Sequence, residues 1–132
     1  MEYSDRVLVG TDNGNPGVVA GFSLLDELEY NVRDFDLSPY QVLRMATVNP
    51  ADYLGISSRA GSVEEGKNAD LILLDENPLE NVSNVRKLKA VIKKGVVFNR
   101  VKLDAMLEEV RSMKVADIEF VGENVINAPE KR

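Results

Sequence analysis

The chain has 132 residues, 44% hydrophobic and 29% charged, which suits one soluble core or one core plus a small satellite. Sixteen basic against 22 acidic residues give a net charge of -6, which disfavours non-specific binding to nucleic acid or to an anionic membrane. The absence of cysteine excludes a disulfide framework and a thiolate metal site and accords with a reducing, cytoplasmic setting. The first residues, Met1-Glu2-Tyr3-Ser4-Asp5-Arg6, lack a signal-peptide pattern, and no apolar run approaches the roughly 20 residues that span a bilayer.

Residues 6 to 11 read as a short buried strand, continuous in apolar residues and stopped by Gly10. It delivers Asp12 into a glycine- and proline-rich loop, Asn13-Gly14-Asn15-Pro16-Gly17, which extends to Gly21. Barrel enzymes present catalytic side chains in this way, at the carboxyl end of a strand. Taken alone, an aspartate after a strand is more often a turn former or a helix cap.

Ser23-Leu24-Leu25-Asp26 has the form of a capping box, with Asp26 a short substitute for the usual Glu or Gln. It predicts a helix to about Arg33 with Leu24, Leu25, Leu28 and Val32 on one face. Ser38-Pro39-Tyr40-Gln41 is a stronger start, with an N-cap serine, proline at the first helical position and glutamine at the third. A third helix is expected from Asn49-Pro50-Ala51-Asp52 to Leu54-Gly55, where glycine suits a left-handed cap. Asn49 and Pro50 read as cap and first-turn residues, and Thr47 as a buried hydroxyl bonding to backbone. Three short capped helices after a strand suit an outer layer over a sheet.

The character changes near residue 56. Glu64-Glu65-Gly66-Lys67 reads as a polar surface turn, not an acid/base pair. Ala69 to Asp75 is a nearly all-apolar strand broken by Asn77-Pro78, its flanking aspartates Asp70 and Asp75 reading as turn residues. Ala90–Lys93 and Val96–Asn99 form two strands of a hairpin, joined by Lys94-Gly95 with glycine where positive φ is wanted. Val101, Leu103, Met106, Leu107, Val110 and Met113 predict an amphipathic helix over 101 to 114, its methionines in the core. Val115 to Arg132 is expected to be a strand followed by a disordered end.

Gly10 to Gly17, then Ala46-Thr47-Val48-Asn49-Pro50-Ala51-Asp52-Tyr53-Leu54-Gly55, then Gly61 to Asp75 resemble, in that order, the C-terminal part of the amidohydrolase superfamily, nearest its imidazolonepropionase-like and prolidase-like metal-dependent hydrolases. The resemblance covers about residues 6 to 100. It implies an α/β fold: the last strand and helices of a (β/α)8 barrel over 1–56, C-terminal strands of a small β-sandwich over 57–100, and a terminal helix and tail over 101–132.

The family's His-x-His pair, its bridging carboxylated lysine or glutamate and its two further histidines would lie on earlier strands. This chain contains no histidine. Of that ligand set only the aspartate ending the last strand carries over, and it falls on Asp12. By resemblance Asp12 ligates a divalent metal, zinc foremost, and shuttles the proton from metal-bound water to the leaving nitrogen. Asn13, Gly14 and Asn15 would line the pocket of a small amide or dipeptide. The implied activity is hydrolysis of a C–N bond, with the chain inactive by itself. Its partners would be the missing barrel portion or another copy of itself, as a homo-oligomer, since absent strands leave apolar faces and edges uncovered. The alternative is a non-catalytic scaffold or oligomerisation module derived from the same fold.

Overall fold

A computed structural model describes residues 6–113, and the chain divides into two compact units between Arg100 and Val101. The first unit holds three helices, α1 (Ser23–Phe35), α2 (Pro39–Ala46) and α3 (Val48–Tyr53), and then strands β1 (Leu71–Leu74), β2 (Leu88–Lys93) and β3 (Val96–Asn99). A 3-10 turn, Val82–Arg86, lies between β1 and β2. Helix α4 (Arg100–Ser112) carries the chain into the second unit.

The start of α2 forms as its residues dictate. Ser38 Oγ accepts from the Gln41 N–H at 3.3 Å, and Gln41 Oε1 accepts from the Ser38 N–H at 2.9 Å. Two of the amides that a helix N-terminus leaves without intrahelical partners are thereby satisfied. Gly55 adopts φ 67° after α3, the left-handed geometry expected of it. The start of α1 differs from expectation. Ser23 is inside the helix, and its Oγ accepts from the Val19 N–H at 2.8 Å, while Asp26 turns to Arg86. Each side chain has a partner that competes with the box, so the box does not close. Helix α1 also runs on to Phe35, where Asp36 ends it at φ 54°.

The strands form one antiparallel sheet in the order β1-β2-β3. Leu71 faces Ile92 and Leu73 faces Ala90, with an irregularity before Leu74. Val91 faces Phe98 and Lys93 faces Val96. Lys94 at φ 50° and Gly95 at φ 80° make the two-residue turn, both in the left-handed region that a type I′ hairpin requires. Asp70 accepts from the Lys94 N–H at 2.7 Å and from Lys93 Nζ at 3.0 Å, pinning the hairpin to the residue before β1.

The expected strand at residues 6 to 11 is not part of this sheet. Residues 7–10 lie outside any named strand, and no described strand pairs with them. A parallel barrel strand draws its ladder from neighbours on both edges, and the described residues supply none. Among the described residues there is this one sheet.

The core joins the helices to the 3-10 turn. Leu28, Val42, Val82 and Val85 are buried together, with Val9, Leu25, Val32, Leu37 and Leu74 packed against them. Val42 and Met45 are fully enclosed. Arg86 supports the same junction from outside, reaching Glu29 Oε1 at 2.8 Å and Asp26 Oδ1 at 2.5 Å on α1.

Gly61 fits closely beneath α3. At φ 94°, a Cβ there would stand 2.6 Å from the Ala51 Cβ and 3.2 Å from the Thr47 carbonyl.

Helix α4 buries none of its residues. Met106 and Met113 are about half exposed, not core residues as expected. The strand expected within 115–132 lies outside the described residues.

Candidate active site around Asp12

Asp12 is exposed and adopts φ 49°, a left-handed conformation that aspartate tolerates better than most residues. The turn that follows folds back on it. Asn15 Nδ2 donates to Asp12 Oδ2 at 2.6 Å and to the Asp12 carbonyl at 3.1 Å, and the Asn15 N–H also reaches that carbonyl, at 3.4 Å. Asn13 and Asn15 are exposed on either side of Gly14, whose φ of 116° is accessible to glycine and strained for other residues. Of the candidate residues, Asp12 and Asn15 are therefore brought together through side chains, and Gly14 makes the turn that lets them meet.

The backbone leading to Asp12 is held by groups from all three helices of the unit. Asn49 Nδ2 donates to the Val7 carbonyl at 2.9 Å. The Val9 N–H donates to the Met45 carbonyl at 3.2 Å. The Gly10 N–H donates to Glu27 Oε1 at 2.9 Å. Asn49 is not the cap that its position suggests, since α3 starts at Val48 with Thr47 as its cap: it lies in the first turn, buried, and is tied to a residue 42 positions earlier. Its signal in the sequence is an amide between Val48 and Pro50 on a short apolar helix, a place where a polar group needs a partner. Glu27 stands beside the apolar stripe of α1 and carries no local signal of its role. Thr47 does bond to backbone, its Oγ1 donating to the Leu43 carbonyl at 2.7 Å, but it is exposed and not buried as expected.

A metal requires more than Asp12 provides. Among the described residues no group of three or more histidine, cysteine, aspartate or glutamate side chains is placed to hold an ion. One carboxylate can contribute a ligand but does not make a site, so the residues present do not by themselves fit the metal that the resemblance implies.

A larger concavity lies elsewhere. A cavity of about 530 Å³ lies between the α2–α3 junction and the sheet, bordered by Thr47, Gly61, Ser62, Asn68, Asp70 and Lys93 among others. Asp12 does not line it, and its other walls are chiefly the apolar side chains of β1 and β2. The polar groups at its rim have structural work. The Asp70 carboxyl is held below its ordinary range by the Lys94 amide first and the Lys93 ammonium second. Glu64 is lowered by the Ser62 hydroxyl and then by Lys67, in the turn expected of it.

The sequence model of the amidohydrolase family matches residues 1–98. An imidazolonepropionase of Thermoplasma volcanium is 31% identical over 115 residues, covering 76% of this chain and 28% of the relative. An adenine deaminase of Methanosphaera stadtmanae is 30% identical over 79 residues, covering 60% of this chain and 13% of the relative. Among solved structures, a Xaa-Pro dipeptidase with methionine bound in its active site superposes with a TM-score of 0.54 at 33% identity, over 58% of this chain and 18% of that one. Phenylurea hydrolase B gives 0.56 at 27% identity, over 72% and 19%. The chain thus spans between 13% and 28% of the length of these two curated relatives. With the match extending from the first residue into β3, and the Asp12 loop, the α2–α3 pair and the hairpin turn inside it, the chain belongs to the amidohydrolase family.

Proposed function

We propose that the chain is the C-terminal segment of a metal-dependent amidohydrolase that hydrolyses a C–N bond in a small amide, dipeptide or cyclic amide. Residues 1–56 supply the last strand and helices of the barrel, 57–100 the C-terminal strands of a sandwich domain, and 101–132 a terminal helix and tail. The observation that carries this reading is the placement of Asp12. It follows a run tied to three helices, it is exposed, and it opens a glycine-rich loop, all within the stretch that matches the family.

In this reading Asp12 is one ligand of a divalent ion, zinc by expectation, and the remaining ligands come from barrel strands outside this chain. With those ligands supplied, the ion would provide an activated water. Asp12 would be the carboxylate placed to hold a proton and pass it to the departing nitrogen, a role that needs a carboxylate fixed in position and open to the substrate. Asn13, Gly14 and Asn15 contribute the wall of the substrate pocket nearest Asp12. The partner is the rest of the barrel or a second copy of the chain, and the proposed compartment is the cytoplasm.

The test is Asp12→Asn in the metal-loaded enzyme that contains this segment. Hydrolysis should fall by about 100-fold or more, since general acid–base transfer is worth about 10² to 10⁴. The 132-residue chain alone should not hydrolyse amides. Unchanged turnover by the Asp12→Asn enzyme would remove Asp12 from the chemistry and favour a non-catalytic role for this segment.

A further inference from the structure

We propose that Glu27 is a positioning residue for Asp12, holding from α1 the run that presents it; the proposal rests on the reading of Asp12 as the catalytic carboxylate.

The Asn49 amide donates to the Val7 carbonyl, and the Val9 N–H donates to the Met45 carbonyl. Glu27 Oε1 takes the Gly10 N–H at 2.9 Å. The run is therefore held by side chains from α1 and α3 and by a carbonyl of α2. Of these contacts, the Glu27 bond lies nearest to Asp12, two residues before it.

Three features suit Glu27 to this task. Its bond to an amide is charge-assisted, stronger than one between neutral groups. Its carbonyl accepts from Asn31 Nδ2 at 2.8 Å one turn later, adding a bond to the stretch of helix that carries it. Its neighbours Asp26 and Glu29 are bound by Arg86, so this part of α1 is fastened to the 3-10 turn. A path of specific bonds thus runs from the Val82–Arg86 turn through α1 to Gly10 and on to Asp12. The bond through Glu27 is the step in that path that crosses from α1 to this run.

The experiment is residue-resolved amide exchange by NMR on the full 132-residue chain and its Glu27→Ala, Glu27→Gln and Asp12→Asn variants, together with the residual dipolar coupling of the Asp12 N–H. Glu27→Ala should speed exchange of the Gly10 amide about tenfold and change the Asp12 coupling, with the Val42 and Met45 amides moving less than about twofold. Glu27→Gln, which keeps an acceptor oxygen, should restore Gly10 to within about threefold of the parent. The proposal is overturned if Gly10 is unaffected by Glu27→Ala. It is overturned equally if Val42 and Met45 speed up in step with Gly10, which would mark a general loss of stability, or if Gln gives no rescue. Asp12→Asn should leave Gly10 protected. The Glu27 result is thus read independently of whether Asp12→Asn abolishes hydrolysis, and the two claims can fail separately.

Discussion

Asn15 Nδ2 stands 2.6 Å from Asp12 Oδ2, so the loop that follows the candidate catalytic carboxylate also engages one of its two oxygens. A carboxylate held in this way has less freedom to rotate. Second partners of this kind commonly change metal affinity or activity by about 10- to 100-fold when removed. Asn15→Ala should therefore lower kcat/KM of the metal-loaded enzyme about tenfold. Asn15→Asp should lower it further, because two like charges would share the turn. Equal activity in all three proteins would assign Asn15 to the turn alone.

Gly61 supports a second prediction, about stability. A methyl group at residue 61 meets Ala51 at 2.6 Å and the Thr47 carbonyl at 3.2 Å, and the backbone φ of 94° already disfavours any side chain. Both effects act in one direction. Gly61→Ala should destabilise the chain by about 2–4 kcal/mol, combining overpacking with left-handed strain. A urea melt measures it, and a loss below about 0.5 kcal/mol would show that α3 gives way without cost.

Met45 is 1% exposed and sits at the end of α2, where its carbonyl receives the Val9 N–H. Met45→Ala keeps that backbone bond and removes only the side chain. The expected cost is about 2–5 kcal/mol from lost burial and the cavity left behind. Because the carbonyl remains, protection of the Val9 amide relative to the Val42 amide should persist at temperatures where the variant is still folded.

Acid should weaken the junction of α1 with the 3-10 turn. The Arg86 guanidinium, hydrogen-bonded to the Glu29 carboxylate, holds Glu29 below its ordinary pKa of 4.5 against the opposing effect of burial. A carboxyl lowered on folding contributes its full stability above that ordinary value and loses it as pH falls through the folded value. Stability should thus be level from neutrality down to about pH 5 and decline below it, as Glu29, Glu64 and Asp70 take up protons. Arg86→Met should cost about 0.5–1.5 kcal/mol at pH 7, since its partners are partly exposed, and should make the acid decline shallower. Denaturant melts at pH 7 and pH 4 test both statements. An unchanged slope would mean that the bridge adds nothing to the fold.

What could be read from the residues follows how locally each feature is determined. The α2 cap, the Gly55 terminus and the Lys94-Gly95 turn each depend on a few adjacent residues, and all three form as their chemistry directs. Ser23 had the pattern of a cap, but Val19 lies within reach and takes its hydroxyl first. The run at residues 7–10 is apolar enough for a strand, yet a strand is defined by its neighbours, and here helix side chains and a helix carbonyl take up the backbone groups instead. Asp12 could be singled out from the residues because an aspartate between an apolar run and a glycine loop is a local pattern. Glu27 and Asn49 were not, because their partners lie 17 and 42 residues away.

The bond between Gly10 and Glu27 has a further effect on the intervening loop. It joins two residues 17 positions apart, so the loop between them has both ends fixed, one by the tethers on the run before Asp12 and the other by α1. Within a loop already closed, added length costs little: each doubling adds only about 0.6 kcal/mol of closure entropy. Beyond Asn15, residues 16–21 can therefore be lengthened, shortened or rewritten with little disturbance to the helices around them. In an enzyme whose substrate rests against this loop, that is where new specificities would arise most readily, while the carboxylate at its start keeps its place.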